Sequence, residues 1–532
     1  MLSYSTEISL SSAISDKGGD IFVLLLLILL LFIIYTGSVK LLCDTYGLGD
    51  IPGPSFSSYV NIWAFIQARK HRYSRAVHEQ HEKYGAFVRV SPNHVSVGDP
   101  KFIKDVMGHG NGFTKSRFYE IFDWKSQSIF TTRSREIHGR KRKWLSATFS
   151  SRSIKDFERF ITDALSIYGR QMERLIDGKP AGRYTFTMNE DVAKRQRHDE
   201  GVINAVSWNA FLAFDIIGDL AFGGSFGYTQ DGYDGNNGIR ILKERGEWCV
   251  VVGQALWLRR LTPYMYFDTF FTKGAKAVSD LGSICTAAVK RRRTSKIDHR
   301  NDILSYLLKA RDPDTNQPLA EEELVMEALS IFIGGSDTTS NTITHGIDLL
   351  SRNRDKLAKL QLELDLAFPQ PHLEAFVPEY SKIVALPYLE AVILETLRLR
   401  PTISFGLPRV VPPGPGVTIG GKLFKPGTVL SVSTYTVHRD EEIFGANVLD
   451  FNPDRWLTNA RSNMDKHFMS FSYGPRACIG RNIALMELKK TFATLFRRFD
   501  YRPVYPERET TIREGFHLKC TELPIFISRR RN

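Results

Sequence analysis

The sequence predicts a mainly α-helical protein with a minor β region. Three observations predict it. From about Lys101 to Arg400, apolar residues recur mostly at helical spacing. Strand-like alternation is confined to "YGAFVRVSPNHVSVGD" near the start of the globule and "VTIGGKLFKPGTVLSVSTYTVHRD" near its end. No strand–helix alternation and no GxGxxG occurs, so the chain is not expected to bind a nicotinamide or flavin itself.

At the amino terminus, "IFVLLLLILLLFIIYTGSV", Ile21 to Val39, carries no charge. As a helix it spans roughly 28 Å, enough for a thin bilayer. The preceding residues include Glu7, Asp16 and Asp20 against one lysine, Lys17, and no A-x-A site follows, which argues against a cleaved signal. Lys40, Arg69, Lys70 and Arg72 follow the run, placing the rest of the chain in the cytosol. The predicted organisation is a short lumenal segment 1–20, a transmembrane anchor 21–39, a Pro-rich linker 40–60 and a catalytic domain 61–532. In the linker, Pro52 and Pro54 flank Gly53 and cannot continue a helix.

In the globule, "YGAFVRVSPNHVSVGD", interrupted by Pro92-Asn93, reads as a β-hairpin or two short strands. "AEEELVMEALSIFIGGSDTTSNTITHGIDLLSR" is the longest helical stretch. Three glutamates favour its start, and its apolar middle places it inside the protein. "RDKLAKLQLELDLAF" and "LPYLEAVILETLRLRP" are further helices.

The 532 residues are 42% hydrophobic and 24% charged, enough apolar material for a large core. The net charge of +13 suits an anionic membrane or an acidic protein better than nucleic acid, because no zinc-finger or RNA-binding signature accompanies it. Five widely spaced cysteines, with no CxxC pair, form neither a disulfide framework nor a zinc site and fit a reducing compartment.

One cysteine stands apart. In "FSYGPRACIG", Cys478 lies between glycines, a proline and Arg476, just ahead of a helix marked by Leu485, Leu488, Phe492, Leu495 and Phe496. Exposed N–H groups at a helix start, the helix dipole and a nearby cation stabilise a thiolate. Gly474 and Gly480 permit tight turns and close approach of a flat ligand. The bland alternative, an inert buried thiol, is assigned to the other four cysteines.

"FSYGPRACIGRNIALMELK" resembles the heme-binding signature of the cytochrome P450 family, FxxGxRxCxG. The resemblance implies the P450 fold and a non-covalent heme with Cys478 as axial thiolate. Arg476 would meet a propionate, Phe471 would pack near the sulfur and Gly480 would follow the ligand. "ETLR" and "FNPDRW" resemble the family's structural network of Glu395, Arg398 and Arg455, which would lock the cysteine loop. "GGSDTT", Gly334 to Thr339, resembles the oxygen-activation motif, in which Asp337 and Thr338 relay protons. "HGRKRKWLSATFS" resembles the heme-contacting helix, with Arg142 at the arginine position and His138 where tryptophan is usual. Arg409 in "LPRVVPPG" resembles a further propionate ligand.

The resemblance covers roughly Ile51 to Arg529. It implies monooxygenation with electrons from NADPH, delivered by a flavoprotein reductase in the same endoplasmic-reticulum membrane. Arg140, Lys141 and Lys143 are expected to steer that acidic donor. Phrases such as "HEKYGAFVRVSPNHVSV" and "REGFHLKCTE" resemble fungal microsomal enzymes, nearest to benzoate para-hydroxylase types and secondary-metabolite tailoring types. The pocket is expected to draw on Phe113 to Phe130, Phe332, Ile333, Ile403 to Phe405 and Gly515 to His517, which suits a small lipophilic or aromatic substrate. Arg117, Lys125 and His517 are the candidates for a benzoate carboxylate. Two other readings stand beside this one: a heme-thiolate isomerase or dehydratase that does not use O₂, and a non-catalytic heme-binding protein.

Overall fold

The computed structural model describes residues 44–54, 61–294, 300–312, 315–369 and 375–530. The expected segments 1–20 and 21–39 lie outside the described residues. Among the described residues, one helix, Ala205–Phe222, is long and apolar enough to cross a membrane, but 83% of it is buried, as a core helix is.

Helices dominate, as expected. The central helix, Glu321–Arg352, begins with Glu321, Glu322 and Glu323, and their charges complement its positive end. It runs unbroken through the protein, packed against Ala205–Phe222, Pro387–Leu399 and Arg481–Arg498. Trp208, Phe214, Phe332, Ile347 and Phe492 belong to one buried cluster among these helices.

The main sheet has five strands in the spatial order Phe87–Ser91, His94–Val97, Val429–Val432, Arg409–Val410, Thr114–Lys115. The first two form the predicted hairpin, with Phe87 opposite Val97. His94–Val97 and Val429–Val432 run parallel, and the other neighbours are antiparallel. The last pairing sets Lys115 directly opposite Arg409. Residues 44–54 pack onto this region: Leu48 and Ile51 are buried, and Pro52 O accepts the Arg89 N–H at 2.8 Å.

Three features differ from the sequence reading. "TYTV", read as strand, is a helical turn, Thr434–Val437, because the Ser433 side chain caps it by accepting the Thr436 N–H. Gly201–Asn204, inside the helical region, is a strand that pairs with Pro524–Arg529, which in turn pairs with Phe499–Pro503. A hairpin, Ile512–Glu514 with Leu518–Cys520, carries Phe516 and His517 at its turn.

Candidate functional site

Cys478 sits in a closed loop. Its N–H donates to Phe471 O at 2.8 Å. Gly474 turns the loop with φ +67°, and a Cβ there would lie 2.0 Å from Met107 O, so glycine is required. At Gly480, which opens the helix Arg481–Arg498, a Cβ would meet only ordinary contacts. Cys478 and Phe471 both line a cavity of about 290 Å³. The exposed surface of Cys478 faces that cavity and not the solvent outside. Burial therefore pushes its thiol above the ordinary value, outweighing the Gly480 N–H and Arg142. The Gly480 N–H, Arg142 and Arg481 pull the other way, towards the thiolate. A cation at the sulfur would pull further in that direction.

The same cavity gathers an unusual set of cations. Lys115, Arg142 and Arg476 line it beside His138, and Arg409 stands opposite Lys115 across two strands. Like charges set opposite each other repel. Among the described residues none of the four cations has a carboxylate within ion-pair distance; they turn to carbonyls and a phenol instead. Arg142 Nη1 donates to Ala477 O at 2.7 Å, and Arg476 to Thr132 O and Ser134 O, both at 3.2 Å. Arg409 Nη1 donates to the Tyr119 hydroxyl at 2.7 Å, and Lys115 Nζ to Phe130 O.

Burial, then its cationic neighbours, pushes the Lys115 ammonium well below its usual range. Burial and Arg409 bring Arg476 down to about 10. Burial and Arg476 bring His138 down to about 3, so its ring is neutral. A cavity wall with one thiol and a cluster of unneutralised cations fits a flat group carrying a metal and two carboxylates, as heme does. Lys115 was not singled out from the sequence; one lysine in "GFTKSRF" carries no periodic signal.

The central helix supplies another wall. A Cβ at Gly334 would meet nothing within 4 Å, whereas one at Gly335 would collide with Ile217. The first glycine thus opens the cavity and the second lets the Ala205–Phe222 helix approach. Thr338 lines the cavity and its hydroxyl donates to Gly334 O at 2.6 Å. Asp337 lies behind this wall. It is buried, ion-paired to Lys519 and 3.2 Å from His517 Nδ1. Burial raises its carboxyl pKa, but Lys519 and His517 overcome that and hold it well below the usual carboxylate range. Its link to the cavity is His517, which lines it.

Glu395 is fully buried. Its Oε1 and Oε2 each accept from Arg398 at 2.8 Å. Arg455 Nε reaches it at 3.0 Å and Trp456 Nε1 at 2.9 Å. Arg398 also donates to His438 O and Val448 O, both at 2.8 Å. The cysteine loop hangs from this assembly: Ser470 Oγ donates to Leu397 O at 2.8 Å. Breaking a buried charge network of this kind costs about 3–5 kcal/mol.

Several expectations need correction. Lys141 is buried between Glu323 and Glu327, and Arg140 pairs with Glu323 and Asp312, so neither presents a free charge to a partner. Lys143 is exposed. Phe332 packs against Phe214, Phe222 and Phe226 instead of facing the cavity. Phe405 packs against Phe118 and Phe516. Arg117 is exposed and pairs with Glu120; Lys125 is exposed beside the Trp124 ring. Of the three carboxylate candidates, only His517 lines the cavity.

A sequence model described as cytochrome P450 matches residues 52–528. The chain is 38% identical over 501 residues to benzoate 4-monooxygenase bphA of Aspergillus niger, covering 91% of this chain and 93% of that protein. It is 31% identical over 484 residues to a cytochrome P450 monooxygenase of Aspergillus terreus, covering 87% and 92%. It is 29% identical over 504 residues to cytochrome P450 monooxygenase mpaDE of Penicillium roqueforti, covering 92% of this chain and 56% of that longer protein.

Proposed function

The chain belongs to the cytochrome P450 family and is a cytochrome P450 monooxygenase; from that premise we propose that it hydroxylates a small aromatic or lipophilic molecule with Cys478 as the proximal ligand of its heme. The balanced reaction is RH + O₂ + 2 e⁻ + 2 H⁺ → ROH + H₂O. The electrons come from NADPH through a flavoprotein reductase. The carrying observation is the Cys478 sulfur on the wall of a cavity that also holds unneutralised cations.

When bound, heme supplies O₂ activation, with electron density from the thiolate favouring O–O cleavage. The chain's residues do the rest. Lys115, Arg142, Arg476 and neutral His138, with Arg409 beside Lys115, would hold the heme's two carboxylates. Gly334 leaves open space in the cavity, and the Thr338 hydroxyl, anchored on Gly334 O, would hand on a proton there. Asp337 stands behind Thr338 and, with Lys519 and His517, holds the next proton site. Glu395, Arg398 and Arg455 keep the cysteine loop in place. Phe122, Phe130 and Phe516 give the substrate an apolar surface.

The likeness to a benzoate 4-monooxygenase favours aromatic-acid metabolism, with secondary-metabolite tailoring as the other setting. The uncharged run 21–39 supports a single-pass endoplasmic-reticulum anchor, with segment 1–20 lumenal, 40–60 as connector and 61–532 cytosolic.

The test is the carbon-monoxide adduct of the reduced, full-length protein. A band typical of thiolate ligation is expected, and Cys478→Ala should lose it. A band typical of histidine ligation in the wild type overturns the proposal. Substrate turnover must also require both reductase and O₂; turnover without them would favour an isomerase or dehydratase.

A further inference from the structure

A second, separate cation faces the cavity. Arg245 sits on the helix Gly238–Gly253, is 4% exposed and lines the cavity. It has no ion-pair partner among the described residues. Its hydrogen-bond partner there is a carbonyl, Phe122 O, at 3.3 Å. Lys141, a buried cation that does not line the cavity, is by contrast neutralised by two carboxylates. A guanidinium removed from water without an anion is costly, and it persists where a ligand supplies the missing charge.

Its surroundings describe that ligand. The Phe122 ring centroid lies 5.5 Å from the guanidinium carbon. Phe122 packs on Phe516 at 4.8 Å and on Phe130 at 5.6 Å, so aromatic edges and faces flank the cation. The turn carrying Phe516 and His517 is pinned beside Arg245, because Phe516 N–H donates to Gly246 O at 3.2 Å. His517 sits on the cavity wall with its Nδ1 held toward Asp337. The wall thus offers one forked cation, one imidazole and three phenyl rings in one place. Those features match an acid with a flat apolar body.

We propose that Arg245, with His517 beside it, is the carboxylate anchor of the substrate pocket, and that the substrate is an aromatic carboxylate. This rests on the monooxygenase reading of the same cavity and adds what the substrate must carry. Arg245 replaces Arg117 and Lys125 as the residue for that role. In "RILKERGEWC" it reads as an ordinary charge on an amphipathic helix, which is why the sequence hides it.

The experiment uses heme-loaded, full-length protein. Benzoate and 2-naphthoate, and the methyl ester of each, are bound by equilibrium dialysis and by heme spin-state titration. In the wild type each acid should bind about 10- to 100-fold tighter than its ester, since the ester lacks the charge for the guanidinium. Arg245→Met should erase that preference by weakening the acids and sparing the esters; Arg245→Lys should keep part of it. Equal binding of acid and ester by the wild type overturns the inference without recourse to any variant. So does a preserved acid preference in a folded Arg245→Met protein, or no binding of either class. The carbon-monoxide band separates the two readings: its loss counts against the heme-thiolate proposal, whereas an intact band with no acid preference counts against the anchor alone.

Discussion

The backbone N–H of Met469 donates to Nε2 of His438 at 2.8 Å. The other ring nitrogen, Nδ1, lies 3.1 Å from Arg398 O and carries the proton. One neutral imidazole therefore ties the end of the Pro387–Leu399 helix to the loop that leads into Cys478. Phe468 stacks on the same ring at 5.3 Å and 4°.

His438→Ala should leave two buried backbone groups unpaired, at about 1–3 kcal/mol each. The expected result is a lower Tm and faster loss of heme on dilution into apomyoglobin. Unchanged Tm and heme retention would show that the loop holds its place without this ring.

Acid should unfold the protein early. His438 and His345 are fully buried, and burial takes each from the ordinary 6.5 down to about 3; His81 falls to about 4 for the same reason. In the unfolded chain each takes up a proton near pH 6.5. The stability from keeping them neutral is complete above pH 6.5 and is lost as pH falls toward 4 and 3. Each contributes a slope of about 1.4 kcal/mol per pH unit in that window. Tm measured from pH 7.5 to 5 should drop steeply below 6.5, and a flat profile would contradict the burial described.

Thr338→Ala removes the hydroxyl held on Gly334 O while leaving the helix intact. It should keep heme and substrate binding but divert NADPH consumption from product to peroxide. Asp337→Asn weakens the pairing with Lys519 and His517, and should slow turnover with an enlarged solvent deuterium effect. Coupling equal to wild type in the first variant would end the case for the hydroxyl.

Lys143 and Lys141, two residues apart, should behave differently. Lys143→Glu should slow reduction by the reductase several-fold at low salt, with the difference shrinking as salt rises. Lys141→Met leaves buried Glu327 without its cation and should lower Tm instead. An unchanged reduction rate in Lys143→Glu would remove this residue from the docking face.

Much of the frame was legible because its signals are contiguous. The ten residues around Cys478, the long apolar stretch before Arg352 and the hairpin at Phe87 each announce themselves locally. The strand Gly201–Asn204 did not, because its partner Pro524–Arg529 lies more than 300 residues away and pairing alone defines it. The same limit hid Lys115, which matters because a strand from elsewhere sets Arg409 opposite it. It also misdirected Phe332, whose side of an all-round apolar helix is decided by Phe214, Phe222 and Phe226. Charge runs misled most: Arg140 and Lys141 read as surface until Asp312, Glu323 and Glu327 arrive to claim them.

Lys115 facing Arg409 across two strands has a cost for the newly made polypeptide. Their repulsion weakens the pairing of the two strands, and an anionic cofactor that binds the folded protein would offset it by mass action. The cellular abundance of this enzyme should accordingly track iron and porphyrin supply, with cofactor-starved copies passing to proteolysis.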